Sequence, residues 1–318
     1  MKKFSIIAAL AALALPSAAS TQTAFPLKMT GQHGSLVKGK TRVAIASYGI
    51  NFIVAQKGTA VAGVGLNSRV VTGLSGVDEA TMRRLANEGY ADLKAQLAAA
   101  GLTLVSEAET RGAIQQAGTV LLPGNTESNR DGGITIGKGV KKASVAYGAD
   151  GAPLTDIYPA SGKAGGFGML AAIGKVNKLA APGKALDTIL LFPLLTVDYA
   201  DTEAKQTRTL TGARRGIVET NVAFGIRMQS PVNVVNPGYM AGAFYPSKDV
   251  WVDTPFSKGA TEMTAMANDS AYMMNVLKEQ KAGNVAVDLP AWTALVKDAY
   301  RAYNASIVAI LKDLKAKG

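Results

Sequence analysis

The glycine-rich stretch over residues 160–175 has the residue types from which proteins build phosphate-binding loops. Within it Gly166-x-Gly168-x-x-Ala171 matches the G-x-G-x-x-A form of a dinucleotide fingerprint, which works only between a strand and a helix. The residues before it do not form a strand pattern. The phosphate-loop pattern G-x-x-x-x-G-K also fails, because Met169 stands where its first glycine belongs. We therefore predict a tight turn before a short helix, with no nucleotide or other cofactor bound.

Other catalytic and metal-binding patterns in the chain are incomplete. His33 is the single histidine, and no G-x-S-x-G nucleophile elbow occurs. Ser35-Leu-Val-Lys38 matches S-x-x-K but lacks the K-T-G and S-D-N companions of that enzyme class. The segment that begins at Glu127 imitates a calcium loop, yet Lys138 occupies the position that needs a bidentate glutamate. The lack of cysteine excludes disulfides, zinc–thiolate sites and thiol nucleophiles.

A concentrated positive charge marks residues 134–184, where seven lysines stand against two aspartates. Lys138, Lys141 and Lys142 are the candidate contacts of this segment to an anionic ligand. We predict that all three are exposed, so that neutralising them would weaken binding and leave folding stability nearly unchanged. The alternative is an irregular, solvated insertion without a binding role.

A second candidate binding region is the proline- and glycine-bearing stretch over residues 236–256, which contains five aromatic side chains. Tyr239, Tyr245 and Trp251 are its candidate contacts to a glycan or a protein partner, because exposed aromatic rings beside lysine suit such recognition. The alternative is a loop that its rings hold against the core.

The first 20 residues have the pattern of a secretory signal peptide. A lysine pair precedes an apolar run over residues 6–15, which is too short to cross a bilayer, and small residues form the cleavage pattern. We expect cleavage after Ala19 or Ser20 and delivery to the periplasm of a two-membrane bacterium. No transmembrane helix is expected in the mature chain.

The formal charge falls from +11 to +9 once the two lysines of the signal peptide are removed. This balance favours anionic partners, and envelope surfaces are the first candidates for an exported protein. We expect an envelope component or an envelope protein as the partner, with peripheral membrane contact compatible with the charge and nucleic acid not expected.

The first half of the mature chain alternates strands and helices. Residues 41–54 are rich in β-forming side chains and predict a strand. Asp78 is a suitable N-cap for a helix with one apolar stripe that ends at Gly101. A short strand over residues 102–106 and a weaker helix over residues 107–116 follow, an order typical of an α/β domain.

Regular patterns fall away over residues 117–184, where we predict a long irregular Gly/Lys-rich insertion. Residues 188–199 are apolar on both faces and predict a central strand, in which Pro193 indicates a bulge or an edge. Residues 216–228 alternate in polarity and predict a second long strand, antiparallel to the first. On this strand Phe224 would face the core and Arg227 the solvent.

Two helices are predicted to end the chain. Residues 260–280 carry methionines at helical spacing, which are typical of core filling. The last helix begins near Asp288, with Pro290 in its first turn and an apolar stripe from Trp292 onward. The expected fold class is α/β: one domain over residues 21–318, with a mixed sheet flanked by helices and the C-terminal helix packed on the sheet.

Three successive segments carry a resemblance to a known family. TRVAIASYGI, the helix VDEATMRRLANEGYADLKAQLAAAG and the segment LTLVSEAETRGAIQQAG are similar to the α/β core of the curli-secretion channel family and related envelope accessory proteins. The resemblance spans about half of the chain and implies a first strand, a helix, a second strand and a short helix, with two later strands extending the sheet. The lipidation cysteine of that family is missing and the basic insertion differs, so no functional residue is carried over.

Three functions follow from these patterns. The leading hypothesis is an exported, non-enzymatic envelope protein that binds an anionic envelope component or a protein partner. The second is a periplasmic hydrolase with a carboxylate site, for which Asp198, Asp201 and Glu203 are the first candidates. The third is an oligomeric secretion-pore subunit built from the two long strands.

Overall fold

The computed structural model has mixed α/β architecture, with a large curled mixed sheet and a C-terminal helix packed on it. The structure describes residues 25–31, 37, 40–63, 66–118, 125–128, 139–155, 179–208, 210, 212, 214–236, 240–259, 262–268 and 280–317. None of the helices among these residues is long and apolar enough to cross a bilayer. The predicted fold class is confirmed.

The described helices are α1 (Glu79–Ala99), α2 (Glu107–Gln116), α3 (residues 179–185) and α4 (Leu289–Lys317). The described strands are β1 (Met29–Gly31), β2 (Arg42–Ile45), β3 (Gly49–Gly63), β4 (Leu66–Ser75), β5 (Thr103–Leu104), β6 (Asn125–Ser128), β7 (Val140–Gly148), β8 (Ile189–Asp198), β9 (Asp201–Arg208), β10 (Arg214–Asn221), β11 (Phe224–Ile226), β12 (Val232–Asn236), β13 (Met240–Pro246), β14 (Val250–Val252), β15 (Ser257–Lys258), β16 (Glu262–Asn268) and β17 (Gln280–Val287).

Fourteen of these strands form the large sheet, and β9, β10 and β16 form a separate three-stranded sheet. The centre of the large sheet is parallel, because β5, β2, β8 and β3 run in the same direction in that spatial order. β3 also pairs antiparallel with β7 and with β4, with which it forms a long hairpin.

β8 confirms the predicted central strand, but Pro193 marks neither an edge nor a bulge in it. β8 pairs with β12 on one side and with β2 and then β3 on the other. Residues 189–191 face β2, residues 194–197 face β3, and the chain between those two neighbours is interrupted at residues 46–48. Pro193 lies level with this interruption, so its missing N–H removes no ladder hydrogen bond.

Helix α1 confirms its prediction at both ends. Asp78 is the N-cap, and its Oδ1 accepts a hydrogen bond from the backbone N–H of Thr81 at 2.8 Å. Gly101 follows the C-cap with a φ of +72°, a left-handed conformation that favours glycine. The predicted apolar stripe is the buried face: Met82, Leu85, Ala86, Tyr90, Leu93 and Leu97.

Helix α4 also begins where the sequence predicts, after Asp288, whose Oδ1 accepts a hydrogen bond from the N–H of Ala291 at 3.2 Å. Its apolar stripe packs into the main core. Asn304 is buried between α4 and α1, where its Nδ2 donates to the carbonyl of Gly89 at 2.9 Å and to Asp92 at 2.8 Å.

The predicted helix over residues 260–280 is wrong. Residues 262–268 form β16, which pairs antiparallel with β10 along its whole length, and residue 280 already belongs to β17. Residues 269–279 lie outside the described residues. Local spacing favoured a helix here, but pairing with β10 decided the structure, since tertiary contacts routinely override local propensity.

The single strand predicted over residues 216–228 is two strands in two different sheets. β10 ends at Asn221 and belongs to the three-stranded sheet, whereas β11 begins at Phe224 and pairs with β8 and β14. Phe224 is buried as predicted. The change of sheet reverses the expectation for Arg227, which is buried, and for Met228, which is exposed.

Part of the predicted irregular insertion is regular. Residues 140–148 form β7, which lies between β3 and β6 in the large sheet. Residues 119–124, 129–138 and 156–178, which include the glycine-rich stretch, lie outside the described residues.

The three-stranded sheet packs closely on the β3–β4 hairpin. A Cβ atom at Gly216 would lie 3.0 Å from the backbone of Ala60, and Gly58 faces the side chain of Val218 in the same way. Ala60, Val70 and Val218 form a small core between the two layers. These small residues allow the close approach, which brings the β3–β4 and β9–β10 hairpins side by side.

Phe224→Ala should lower the free energy of unfolding by about 3–5 kcal/mol, because it removes a fully buried ring. The ring meets Phe25 at a centroid distance of 6.0 Å and Phe256 at 6.1 Å. Asn221→Ala, on an exposed neighbour, should change the free energy by no more than about 0.5 kcal/mol. Chemical denaturation measures both; an unchanged monomer with impaired assembly would instead support a pore subunit.

Candidate functional site

A buried group of charges lies at the root of the β9–β10 hairpin, where the chain leaves the large sheet. Asp198 ends β8, Lys142 and Gln56 are paired residues of β7 and β3, and Arg227 follows β11. Gly225 pairs with Asp198, which places Arg227 beside the same point. We call the following residues the root cluster: Gln56, Lys142, Asp198, Arg227 and Asp249.

Asp198 is the centre of the root cluster. Its Oδ2 accepts a hydrogen bond from Lys142 Nζ at 2.6 Å. Its Oδ1 accepts from Gln56 Nε2 at 2.6 Å and from the backbone N–H of Tyr199 at 2.8 Å. The side chains of Lys142 and Asp198 are 1% and 0% exposed, so this ion pair is fully withdrawn from water.

Arg227 adds a second buried cation to the cluster. Its Nη1 lies 3.6 Å from Asp198 Oδ2, and its Nη2 lies 2.9 Å from Asp249 Oδ2. Asp249 also accepts a hydrogen bond from the N–H of Met228 at 2.6 Å. The guanidinium carbon lies 5.1 Å from the ring centroid of Trp251, a cation–π distance, and Lys142 Nζ lies 5.9 Å from the same centroid.

Burial governs the ionisation of this region. Withdrawal from water lowers the pKa of Lys142, and the charge of Asp198 opposes that shift. Burial also raises the pKa of Asp201, the first residue of β9, against the opposite influence of Lys142 and Arg227. Within the cluster two cations face two aspartates, a balance that buried charges need.

The root cluster joins the hairpin to the large sheet. Gln56 Nε2 donates to the carbonyl of Ala200 at 2.7 Å, and Lys142 Nζ lies 3.4 Å from the same oxygen. Ala200 immediately precedes β9. β3 and β7 therefore hold the first turn of the hairpin through two side chains, which sets the direction in which the hairpin leaves the sheet.

The carboxylates considered for a hydrolase do not form a pair that is open to a substrate. Asp198 is buried and occupied by its donors, whereas Glu203 is exposed on β9 and pairs with Lys205. In the part of the chain that the structure describes, no group of three or more His, Asp or Glu side chains could hold a metal ion. The geometry offers a structural role for these residues and no general acid–base pair.

The far end of the same hairpin is basic and exposed. Residues 204–218 contain four cationic side chains and no acidic one, and the adjacent β3–β4 segment over residues 49–76 contains two more and again no acidic one. Arg208 and Arg214 are paired across the hairpin, and both are exposed. We call Arg208, Leu210, Arg214, Arg215 and the neighbouring Val61 the basic hairpin end.

Apolar side chains accompany these arginines. Leu210 is fully exposed at the turn of the hairpin, and Val61 of β3 is 53% exposed. Gly216 packs against the backbone of Ala60 and Val61, so the two hairpins present this surface together.

The predicted ligand-binding lysines separate in the structure. Lys141 is exposed, but the predicted exposure of Lys142 is wrong, because alternation along β7 turns its side chain into the root cluster. Lys138 lies outside the described residues.

The predicted aromatic contacts also separate. Tyr245 is 40% exposed, whereas Trp251 is half-buried over Arg227, and Phe244 and Phe256 are core residues. Tyr239 lies outside the described residues. The alternative of a loop held by its rings therefore applies to Phe244, Trp251 and Phe256.

Sequence reasoning missed Gln56, Arg227 and Asp249 as members of the cluster and Arg208, Arg214 and Arg215 as a surface. The cluster leaves no local signal, since its members come from five places in the chain. The arginines did leave one: a run of 15 residues, 204–218, with four cations and no acid.

No known protein family matches the chain, and neither a curated protein nor a solved structure is significantly similar to it. The resemblance to the curli-secretion channel family stays a prediction.

Adjacent lysines of β7 allow a matched test of the root cluster. Lys142→Met should lower the free energy of unfolding by about 3–5 kcal/mol, because it leaves Asp198 buried without its closest cation. Lys141→Met makes the same substitution on the exposed face and should change it by no more than about 0.5 kcal/mol.

Chemical denaturation of both variants measures the difference. Adding Asp198→Leu to Lys142→Met removes the stranded charge and should restore part of the loss. Equal stability of the two lysine variants would contradict the role assigned to the cluster.

Proposed function

We propose that this protein is an exported, non-enzymatic envelope protein that binds anionic lipid head groups through its basic hairpin end. The observation that carries the proposal is the segregation of charge at this surface. Two neighbouring hairpin segments, residues 49–76 and 204–218, together hold six cationic side chains and no acidic one. Such a surface attracts phosphate-bearing head groups and has no carboxylate of its own to repel them.

The shape of the surface supports a lipid interface over a compact polyanion. Leu210 and Val61 project between the arginines, so apolar contact with the acyl boundary can accompany charge contact with head groups. Arg208 and Arg214 lie directly opposite each other on the two strands, which presents their guanidinium groups to the same surface. Arginine suits this role, because its fork of donors matches phosphate oxygens.

The root cluster supports the proposal from the other end of the hairpin. A hairpin held at its root by a buried ion pair loses little further freedom when its tip binds, and a preorganised surface binds more tightly for the same contacts. The cluster therefore has a role in binding without touching the ligand.

Lys57 and Lys141 extend the positive surface on the outer face of the large sheet. They are paired across β3 and β7, and both are exposed. Like charges placed opposite each other on neighbouring strands are unfavourable alone, and an anionic partner relieves their repulsion. Lys141 thus keeps the binding role predicted from the sequence, in support of the basic hairpin end.

Export of the chain is tested by fractionation. The full-length protein, expressed in a two-membrane bacterium, should be recovered from the periplasmic fraction with a new N-terminus after Ala19 or Ser20, which N-terminal sequencing identifies. Unprocessed protein in the cytoplasm would contradict the envelope assignment.

Replacing Arg208, Arg214 and Arg215 together by Gln should weaken binding to vesicles of phosphatidylglycerol in phosphatidylcholine about 100-fold. Each basic side chain near an anionic surface contributes about 1 kcal/mol, so three account for two decades of affinity. Sedimentation with vesicles at low and high salt measures the effect, and binding by the unchanged protein should fall as salt rises.

The matched control removes the same three charges from α4 by Arg301→Gln, Lys312→Gln and Lys315→Gln, all at exposed positions. This variant should bind nearly as well as the unchanged protein. Equal weakening by both triple variants would attribute binding to net charge, and no binding by the unchanged protein at low salt would overturn the proposal.

A further inference from the structure

A cavity of about 380 Å³ lies between α1, α2 and the edge of the parallel part of the sheet, away from both the root cluster and the basic hairpin end. Its size falls within the range of about 300–1,000 Å³ that is typical of small-molecule sites. The lining residues are Ile45, Tyr90, Lys94, Leu104, Val105, Ser106, Glu107 and Thr110.

The cavity occupies a favourable place in the topology. β2 ends at Ile45 and β5 ends at Leu104, and the two strands are parallel neighbours. From β2 the chain passes first to β3, beyond β8 on one side, and later to β5 on the other side. In sheets with parallel strands, ligands bind outside the carboxyl ends at such a change of direction.

Three polar groups meet at the mouth of the cavity. Oε1 of Glu107 accepts hydrogen bonds from Lys94 Nζ at 2.6 Å and from the Tyr90 hydroxyl at 3.0 Å. The second oxygen, Oε2, accepts no hydrogen bond from the described residues. The side chains of Lys94 and Glu107 are 39% and 43% exposed, so a ligand can reach both charges.

Gly151 fixes the position of the carboxylate from behind. A Cβ atom at residue 151 would lie 2.6 Å from Oε2 and 2.7 Å from Oε1, so only glycine lets the turn approach so closely. Hydrogen bonds tie this turn to both helices: Asn87 of α1 donates to Asp150 Oδ2 at 2.9 Å, and Arg111 of α2 donates to the Asp150 carbonyl at 2.8 Å. The charges therefore stand on a rigid frame.

The ionisation of the three groups is defined. The hydrogen bond from Lys94 lowers the pKa of Glu107, so the carboxylate is charged at neutral pH. Burial raises the pKa of Tyr90, so its hydroxyl stays protonated and donates. Beneath this pair of opposite charges, Ile45, Leu104 and Val105 supply an apolar floor.

We infer that this cavity binds a small zwitterion with an aliphatic substituent, of the kind that an aliphatic α-amino acid represents. The ligand ammonium meets Oε2 of Glu107, the ligand carboxylate meets Nζ of Lys94, and the aliphatic group lies on the apolar floor. Both charges of the ligand find a counter-charge, which a ligand with one charge would not. This site is independent of the proposed lipid surface.

Calorimetric titration of the full chain with three compounds tests the inference. L-leucine should bind, whereas N-acetyl-leucine, which lacks the ammonium, and leucinamide, which lacks the carboxylate, should each bind about tenfold more weakly or worse. No heat from leucine at millimolar concentration, or equal binding of leucine and N-acetyl-leucine, would overturn the inference.

Glu107→Gln should abolish the preference for leucine over N-acetyl-leucine, because the partner of the ammonium is lost. Glu79→Gln removes the same charge at an exposed site of α1 outside the cavity and should keep the preference. A thermal melt verifies that each variant is folded, and if Glu107→Gln is not, Lys94→Met should remove the preference for leucine over leucinamide. A preference that survives in the folded cavity variant would contradict the assignment.

Discussion

The ion pair between Asp198 and Lys142 is the constraint on which the rest of the structure depends. It lies where β8 ends and β9 begins, so it joins the parallel centre of the large sheet to the three-stranded sheet. Arg227 and Gln56 bring β11 and β3 to the same carboxylate. A buried charge without such partners would cost several kcal/mol, and the strands that supply the partners are therefore fixed relative to one another.

This constraint separates two kinds of positive charge in the molecule. Lys142 and Arg227 are withdrawn from water and neutralised by aspartates, so they determine the architecture. Arg208 and Arg214 stand at the far end of the same hairpin, where no acid lies within the surrounding 15 residues, 204–218. A net charge of +11 alone does not distinguish these roles. The proposed lipid surface rests on the second kind, and its orientation rests on the first.

Elements whose stabilising contacts lie within one segment were predictable. Helix α1 has its cap at Asp78, its apolar stripe and its terminal Gly101 within one segment, and each signal agreed with the others. Where a partner strand decided the structure, the same reasoning failed. Residues 262–268 carry a helical spacing of methionines but pair with β10, and residues 214–226 change sheets without a glycine or proline at the change.

The sequence by itself determined the α/β class, the caps and faces of α1 and α4, the positive charge and the absence of thiol chemistry. It also brought Lys142, Asp198 and Trp251 forward as candidates, although for separate reasons. Only the tertiary structure decided that these three belong to one cluster, because members so distant in the chain meet through strand pairing. The same holds for the cavity, where Lys94 and Glu107 converge because α1 and α2 pack at the ends of parallel strands. Local patterns record what each segment buries, whereas a site depends on distances between segments, which only packing sets.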